Sequence, residues 1–564
     1  MKKKLPIGID NYKKLIAGDY YYVDKTLLIK ELLDKGGEVS LFTRPRRFGK
    51  SLALSMLRTF FEDERTIDGE KIDNRFFFAE TNILENTPKY ANELGQYPVI
   101  FLSLKSAKQP DFETAYYRLK MDIAREFERH RYVLDSDIIL DSDKALYCDF
   151  MNRTAKYDSY TVSLQFLSRC LELYHGKKTI ILLDEYDVPL ENAYFKNFYD
   201  KMINFIQSLF ESALKTNESL QFAVLTGCLR ISRESIFTGL NNLEIVSILN
   251  EDYSEFFGFT SKEAAQLLSF YGLEEKSAEM KLWYDGYLFG NTEVYNPWSV
   301  INYVKTGLSN RAAFPKPYWS NTSSNSIVQE LVENADSDQR QELEHLIAGG
   351  TIEKAIHEEI TYSDIHQAPD NLWNFLFFTG YLKAVSQRLD KNQIFVTIEI
   401  PNEEIRYIYQ NTIRYWFEQQ IRQADKTPLQ QAMLAGDVEQ MEALMRRQLM
   451  ESISYFDNSE NFYHGYLVGM LGETPEYFLR SNREAGTGRP DIQLISYDLA
   501  LPAIIVEVKR ADNYQEMDSK CEEALQQIEA RQYDEELRLE GYQKFIHFGI
   551  CFCKKNCRIR MKQK

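Results

Sequence analysis

The sequence has few features of a secreted or membrane-spanning protein. Its seven cysteines are scattered over 564 residues, and their odd number and irregular spacing predict no disulfide framework. No apolar run approaches the length of a membrane span. The N-terminal stretch 1–6 is followed by polar residues and not by an apolar h-region, which predicts no signal peptide. We therefore expect a cytoplasmic protein that makes no membrane contact.

Basic residues are too few for a protein that coats nucleic acid. Lys and Arg number 67 against 84 Asp and Glu, which gives a formal net charge of −17. Proteins that bind DNA over a broad surface are usually basic, so any contact with nucleic acid has to be confined to a cleft or to one domain. The hydrophobic content of 44% is ordinary for globular proteins, and the length predicts about three or four domains.

A candidate phosphate-binding loop lies near the N-terminus. The apolar run 39–42 predicts a buried strand, and the periodic run 52–57 predicts a helix. The turn between them contains Arg46, Arg47, Phe48, Gly49, Lys50 and Ser51. In such a loop the helix N-terminus binds phosphate, the lysine adds positive charge and the serine hydroxyl ligates Mg²⁺. Arg44 stands where the general motif has glycine, so a basic turn with a coincidental Gly-Lys-Ser is the alternative interpretation.

Two acidic residues follow a second predicted strand. The apolar run 180–183 leads into Asp184 and Glu185, and α/β sheets place their ligands at the carboxyl ends of strands. The pattern resembles a Walker B motif, in which Asp184 holds Mg²⁺ and Glu185 orients or polarises the attacking water. A strand that ends in a solvated acidic turn is the alternative, but the upstream Gly-Lys-Ser unit favours nucleotide binding.

A third buried strand, 221–227, predicts further phosphate contacts. In nucleotide switches of the AAA type, a polar residue on this strand senses the γ-phosphate and an arginine beyond it contacts phosphate. Thr226, Arg230 and Arg233 fit these positions. Ordinary surface arginines are an equal alternative, because a functional arginine needs bidentate partners.

The middle of the chain shows no catalytic spacing. The aromatic, turn-rich stretch 283–298 predicts a structural or lid region, and the polar run 320–326 predicts a loop. Residues 372–400 follow a helix–strand–strand pattern that indicates a winged-helix-like unit. Such a unit binds DNA or caps the ATPase, and the lack of a basic stripe favours capping.

The last part of the chain has the pattern of a metal-dependent nuclease. Asp491 lies on one predicted strand, and Glu507 and Lys509 lie on its neighbour in a hairpin, 503–510. Alternate side chains of a strand share a face, so Glu507 and Lys509 point into one cleft that Asp491 can also reach. The two carboxylates and the Val508 carbonyl would bind Mg²⁺, and Lys509 would position the attacking water and stabilise the transition state. A hairpin with outward-facing charges is the alternative.

Several other residues are candidates in this region. Glu484 would add an acid to the site, and Gln527, on the predicted helix 524–533, would face it. We interpret His464 as a buried, hydrogen-bonded residue. The basic tail 554–562 is the one stretch that could hold a phosphate backbone despite the acidic total.

Together these motifs resemble those of bacterial proteins that join an N-terminal AAA-ATPase-like domain to a C-terminal PD-(D/E)XK nuclease-like domain, common in gut Bacteroides-type bacteria. The resemblance spans nearly the full length and rests on residues 5–8, 22–26, 44–51, 183–187, 295–298, 488–491 and 507–509. That family itself uses arginine at the position of Arg44. The resemblance implies an α/β fold with a P-loop NTPase parallel sheet, a helical and winged-helix-like middle region, and a C-terminal restriction-endonuclease-like α/β domain.

We expect an AAA-ATPase-like domain at 1–250, a helical lid region at 251–345, a winged-helix-like unit and connector at 346–430, and the nuclease-like domain at 431–564. The expected function is ATP-regulated, Mg²⁺-dependent cleavage of nucleic acid, with DNA favoured, so ATP and Mg²⁺ are the expected cofactors. A nucleotide-dependent switch or scaffold, whose nuclease-like domain only binds nucleic acid or protein, is the alternative. An ATPase motor without cleavage is a third hypothesis. A homo-oligomer is also considered, because AAA-type arginines usually act across subunits.

Overall fold

The computed structural model describes residues 2–85, 88–229, 241–319, 335–357, 369–391, 393–412, 425–452, 460–472, 474–481 and 488–564. The chain divides into two compact units. Unit 1 comprises Met1–Ser323 and Gly349–Ile408, and unit 2 comprises Ser324–Ala348 and Tyr409–Lys564. The chain therefore passes between the units at 323/324, at 348/349 and at 408/409.

The core of unit 1 is a parallel sheet. In the described part of the chain its strands are β1 (Val39–Thr43), β2 (Val99–Ser103), β3 (Thr179–Asp184), β4 (Leu220–Gly227) and β5 (Leu243–Val246), in the spatial order β2-β3-β4-β1-β5. β1 and β3 are buried along their whole length, as expected where helices cover both faces of a sheet. Because β4 lies between them, the carboxyl ends of β1, β3 and β4 are side by side at one edge.

Helices surround this sheet and follow the apolar periodicity of the sequence. They are α1 (Tyr12–Ala17), α2 (Leu27–Lys35), α3 (Lys50–Phe61), α4 (Asn82–Glu85), α5 (Phe112–Arg129), α6 (Asp141–Asn152), α7 (Tyr157–Thr161), α8 (Ser163–His175), α9 (Val188–Phe195) and α10 (Tyr199–Leu214). α10, for example, buries Met202, Ile206, Leu209 and Ala213 at helical spacing. Burying each large apolar side chain of this kind contributes about 1.5–3 kcal/mol.

The remainder of unit 1 contains two small antiparallel sheets with helices between them. Its first elements are β6 (Phe259–Thr260), α11 (Ser261–Tyr271), α12 (Ser277–Tyr284), β7 (Tyr287–Phe289), β8 (Thr292–Tyr295) and α13 (Pro297–Ser309). The next helix along the chain, α14 (Ser337–Ile347), belongs to unit 2. Unit 1 then continues with β9 (Ile352–Ile356), α15 (Pro369–Phe378), β10 (Lys383–Asp390) and β11 (Gln393–Glu399). The sheets have the orders β6-β8-β7 and β10-β11-β9. α15 followed by the β10–β11 hairpin agrees with the helix–strand–strand pattern predicted for 372–400.

Unit 2 is built on a mixed sheet. Its described elements are α16 (Thr427–Ala435), α17 (Val438–Ser452), α18 (Glu460–Leu471), β12 (Tyr477–Ser481), β13 (Ile492–Ser496), β14 (Ala503–Arg510), α19 (Met517–Ala530), α20 (Glu535–Leu539), β15 (Phe545–Cys553) and β16 (Asn556–Gln563). The strands lie in sequence order; β14 and β15 are parallel and the other neighbours are antiparallel. Even-numbered residues of β14 from 504 to 508 pack with α16, α17 and α18, whereas Ala503 and Ile505 pack with α19.

The structure confirms the predicted α/β fold, with a P-loop NTPase-like parallel sheet, a helical middle region and a C-terminal mixed sheet. The predicted domain boundaries near 250, 345 and 430 stay predictions. Among the described residues, every helix is too short or too polar to traverse a lipid bilayer.

Candidate functional site

The loop between β1 and α3 borders a cavity of about 370 Å³ in unit 1. Gly49 precedes α3 with φ 87°, a left-handed conformation that glycine adopts without strain. In the described structure no side chain caps the N-terminus of α3. Its first backbone N–H groups therefore suit an anionic ligand, as the sequence predicts for this loop.

The side chain of Lys50 reaches back to the first residues of this loop. Its Nζ donates hydrogen bonds to the backbone carbonyls of Arg44 at 2.8 Å and Pro45 at 2.9 Å, and it lies 3.7 Å from Cys228 Sγ. Ser51, in the first turn of α3, also lines the cavity. Lys50 and Ser51 therefore both line the cavity at the loop where the motif predicts phosphate binding.

Arg44 explains why this loop departs from the general glycine pattern. Its side chain is 0% exposed and lies between the rings of Phe257 and Phe289, whose centroids are 5.3 and 5.0 Å from the guanidinium carbon. Nη1 donates to the carbonyls of Thr43 and Val246, each at 2.9 Å. Arg44 therefore does not line the cavity but anchors the start of the loop to β5.

The three loop residues after Pro45 have different surroundings. Arg46 forms an ion pair with Glu191 of α9. The Arg47 guanidinium lies 4.3 Å from the ring centroid of Trp298, and burial lowers the pKa of Arg47. Phe48 is buried against Tyr287 and Phe289. All three residues line the cavity, but the ring of Phe48 serves mainly as a packing anchor.

Asp184 and Thr226 come together at the ends of β3 and β4. Thr226 Oγ1 donates a hydrogen bond of 2.7 Å to Asp184 Oδ1. Glu185, the next residue, lines the cavity with φ 51°, and burial followed by the charge of Asp184 raises its pKa. Burial also raises the pKa of Asp187, whose Oδ2 accepts hydrogen bonds from the amides of Cys228 and Leu229.

Sequence reasoning missed several residues of the cavity wall. Lys105 and Lys108 follow β2, and Pro297 and Trp298 begin α13, yet all four line the cavity. The stretch containing Trp298 was interpreted as structural because no local spacing indicates a ligand. The predicted phosphate contacts Arg230 and Arg233 lie outside the described residues.

These groups fit a nucleoside triphosphate with a divalent cation. The uncapped start of α3 and the ammonium of Lys50 would hold the phosphates. The hydroxyl of Ser51 and the carboxylate of Asp184 are oxygen ligands of the kind that Mg²⁺ prefers. The hydrogen bond from Thr226 occupies one oxygen of Asp184 and so orients the carboxylate for such a role.

The predicted nuclease residues gather on unit 2. The amide N–H of Val508 donates a hydrogen bond of 2.7 Å to Asp491 Oδ2, which ties the start of β13 to β14. Lys509 Nζ donates to Glu507 Oε1 at 3.2 Å. Gln527 of α19 also donates through Nε2 to Glu507 Oε1 and lies 3.3 Å from the hydroxyl of Tyr533. The structure therefore brings Asp491, Glu507, Lys509 and Gln527 into one group.

The second carboxylate oxygen of Glu507 is the notable atom of this group. Oε2 is buried and has no hydrogen-bond partner among the described residues. Burial, followed by the charge of Asp491, raises the pKa of Glu507 to about 7. An orphaned, buried carboxylate oxygen beside a second carboxylate fits a hard divalent cation such as Mg²⁺.

Glu484 and His464 are two further residues of unit 2 that the sequence singles out. Within the described chain, no three His, Cys, Asp or Glu side chains are grouped as a metal site, and Glu484 lies outside the described residues. His464 Nε2 donates to the carbonyl of Asp491 at 2.9 Å and contacts Ser481 Oγ. It is therefore hydrogen-bonded, as predicted, but half-buried rather than buried, and it supports the backbone of Asp491.

Basic side chains of the tail 554–562 form ion pairs within the chain. The tail forms the edge strand β16, and Arg558, Arg560 and Lys562 pair with Glu442, Asp518 and Glu529. The interpretation of this stretch as a phosphate-backbone contact stays a prediction, and a phosphate would have to compete with these acidic partners on α17 and α19.

The two folds and their sites define a chain that joins a P-loop NTPase-like domain to a nuclease-like domain. Residues 6–237 match the family model described as a predicted AAA-ATPase. Residues 458–562 match the model of the PD-(D/E)XK nuclease superfamily. The chain thus carries an AAA-ATPase-like domain and, at its C-terminal end, a PD-(D/E)XK nuclease superfamily domain, as the sequence resemblance predicts.

A similar curated protein is described as an uncharacterized protein in the vnfD 5′ region of Azotobacter chroococcum mcd 1. It is 27% identical over 338 residues. The match covers 59% of this chain and 56% of that protein, so this chain matches little more than half of its relative's length.

Proposed function

We propose that this protein is an ATP-binding, Mg²⁺-dependent nuclease that cleaves DNA phosphodiesters under the control of bound nucleotide. The observation that carries the nuclease part is the buried, unpartnered Oε2 of Glu507, in the same group as Asp491 and Lys509. A purely structural role does not explain why this oxygen is buried without a partner, because such burial costs about 1–3 kcal/mol of stability.

In the nuclease-like domain, Asp491 and Glu507 would hold the metal ion. Mg²⁺ bound there would supply a water of lowered pKa and stabilise the leaving oxygen. Lys509 would hold that water and offset the negative charge that develops at phosphorus. The amide of Val508 and the side chain of Gln527 would keep the two carboxylates oriented.

In the AAA-ATPase-like domain, Lys50 and the start of α3 would bind the phosphates, and Ser51 and Asp184 would bind Mg²⁺. Glu185 would orient the attacking water, and Thr226 would sense the γ-phosphate through its bond to Asp184. Arg230 and Arg233 remain proposed phosphate contacts. The presence of both domains in one chain supports control of cleavage by nucleotide.

Cleavage of supercoiled plasmid by the full-length protein tests this proposal. We expect nicking or digestion with Mg²⁺ or Mn²⁺ and none with EDTA. Asp491→Asn keeps an oxygen that can accept from the Val508 amide but removes the charge, so it should abolish cleavage and leave nucleotide binding intact. Asp498→Asn, in the exposed turn after β13, is the matched control. Cleavage that persists in Asp491→Asn and in Lys509→Ala would refute the assigned site.

Control by nucleotide is tested separately with Lys50→Ala. This variant should lose binding of a fluorescent ATP analogue, and its cleavage should no longer respond to ATP. If wild-type cleavage is the same with and without ATP, the proposed regulation is wrong. Nucleic-acid binding without cleavage in the wild-type protein would instead favour a nucleotide-dependent scaffold.

A further inference from the structure

We propose that Lys105 contacts the γ-phosphate of ATP from within the same chain and stabilises the transition state of hydrolysis. The inference rests on the proposed function, since it assumes that the cavity of unit 1 hydrolyses ATP. It assigns a role to a residue that no phosphate-loop or Walker B motif contains.

The strand register places Lys105 beside the acidic residues of the site. β2 and β3 are adjacent and parallel, and Ser103 at the end of β2 pairs with Asp184 at the end of β3. Lys105 and Glu185 therefore both lie just beyond the carboxyl ends of neighbouring strands. Both line the same cavity as Lys50.

The turn that carries Lys105 is firmly held. It is a 3-10 turn, Leu104–Ala107, in which both terminal residues are buried. Ser106 donates a hydrogen bond to Asp122 of α5. Lys105 itself is exposed, so a turn with buried ends and a hydrogen bond to α5 presents an exposed ammonium group to the cavity.

Most other cations of the cavity already have partners. Lys25 pairs with Glu263, Arg46 pairs with Glu191, Lys50 bonds to loop carbonyls and Arg47 stacks on Trp298. Within the described structure, Lys105 and Lys108 form neither an ion pair nor a side-chain hydrogen bond. They are therefore the cations most readily available to an incoming phosphate.

Lys105 is preferred to Lys108 because of its relation to Glu185. Ser103, two residues before Lys105, pairs with Asp184, which directly precedes Glu185, whereas Lys108 lies three residues further along the chain. Lys105 thus lies on the side of the cavity where Glu185 would orient the attacking water. A cation at that place is close to the γ-phosphate and its developing charge.

In the reaction, a water oxygen bonds to the γ-phosphorus and the bond from phosphorus to the β–γ bridging oxygen breaks. ADP, inorganic phosphate and one proton are released, and Glu185 accepts the proton of the water during attack. Lys105 would offset negative charge on the γ-phosphoryl oxygens, a role that AAA-type proteins often give to an arginine of a neighbouring subunit. Because Lys105 belongs to the same chain, hydrolysis would not need a second copy.

Steady-state hydrolysis of Mg²⁺·ATP by the full-length protein tests this inference. We expect Lys105→Ala to lower kcat by about 100-fold or more and to change KM by less than about threefold. Lys105→Arg should recover part of the rate, because it restores a cation. Lys178→Ala, an exposed lysine before β3 at the opposite end of the strands, should match wild type. Wild-type activity per mole of protein should not depend on protein concentration.

ATP hydrolysis by unit 1 and the role of Lys105 in that reaction can be refuted separately. A wild-type protein that binds ATP analogues but does not hydrolyse ATP would overturn the hydrolytic function and this inference with it. Wild-type hydrolysis that Lys105→Ala leaves unchanged would overturn the inference alone. Activity per mole that rises with protein concentration, with Lys105→Ala still active, would also overturn it and indicate an arginine supplied by another copy.

Discussion

Thr226 Oγ1 donates a hydrogen bond of 2.7 Å to Asp184 Oδ1 and so joins the ends of the neighbouring strands β3 and β4. The hydroxyl fixes one oxygen of the carboxylate that we propose as a ligand of Mg²⁺. We expect Thr226→Val to lower kcat for ATP hydrolysis by about 10- to 100-fold, because residues that orient metal ligands have effects of this size.

Thr226→Ser is the control for this prediction, since it keeps the hydroxyl and removes only a methyl group. Its kcat should stay close to that of wild type. Equal kinetics for the valine variant and wild type would show that the bond to Asp184 does not serve the metal.

Arg44 provides a test of stability. Replacing it with glycine, the residue of the general phosphate-loop motif, would remove the donors to Thr43 and Val246 and leave a cavity between two rings. We expect Arg44→Gly to lose about 3 kcal/mol of unfolding free energy, measured as a lower Tm. Arg44→Lys should lose less, because it retains one donor. An unchanged Tm for Arg44→Gly would contradict the anchoring role.

The buried carboxyl of Glu404 should make the free energy of unfolding depend on pH. It is fully buried, accepts hydrogen bonds of 2.8 Å from Ser299 Oγ and from the Trp319 amide, and burial raises its pKa to about 8. In the unfolded chain its pKa is about 4.3. Between these values the folded state holds a proton that the unfolded state releases, so this carboxyl lowers stability as pH rises.

The variant Glu404→Gln keeps an acceptor oxygen and has no charge to bury. We expect its Tm to exceed that of wild type at about pH 9 and to approach it at about pH 5. Glu403→Gln, at the adjacent and more accessible carboxyl, is the control. A Tm difference that is the same at both pH values would contradict the assignment.

Gln527 provides a test in the nuclease-like domain. Its Nε2 donates to Glu507 Oε1 and helps to hold the carboxylate in place. We expect Gln527→Ala to reduce the rate of DNA cleavage by about 10- to 100-fold and to raise the Mg²⁺ concentration needed for half-maximal rate. The neighbouring exposed residue supplies the control Gln526→Ala. Equal Mg²⁺ requirements for the two variants would contradict this role.

Apolar strands and local motifs could be predicted from the sequence because they depend on neighbouring residues. The predicted strand 503–510 agrees with the bounds of β14. Period-two alternation correctly places Glu507 and Lys509 on one face, where Lys509 bonds to Glu507. The apolar runs 39–42, 180–183 and 221–227 likewise predicted β1, β3 and β4, but neither the order of the strands in the sheet nor the short edge strand β5 was predicted.

Contacts between distant segments could not be predicted in this way. Arg558 pairs with Glu442, which lies more than a hundred residues earlier, so the local charge of the tail does not show that its basic side chains have acidic partners within the chain. Lys105 and Trp298 line the cavity of unit 1 only because β2 and α13 converge on it. No spacing in the sequence marks either residue.

The central claim is that Asp491 and Glu507 hold a single divalent cation. The most direct test is an anomalous difference map from crystals of the full-length protein soaked in Mn²⁺. We predict one peak in contact with both carboxylates, and its loss in Asp491→Asn. A map with no peak at these carboxylates, or with a peak that persists in Asp491→Asn, would contradict the claim.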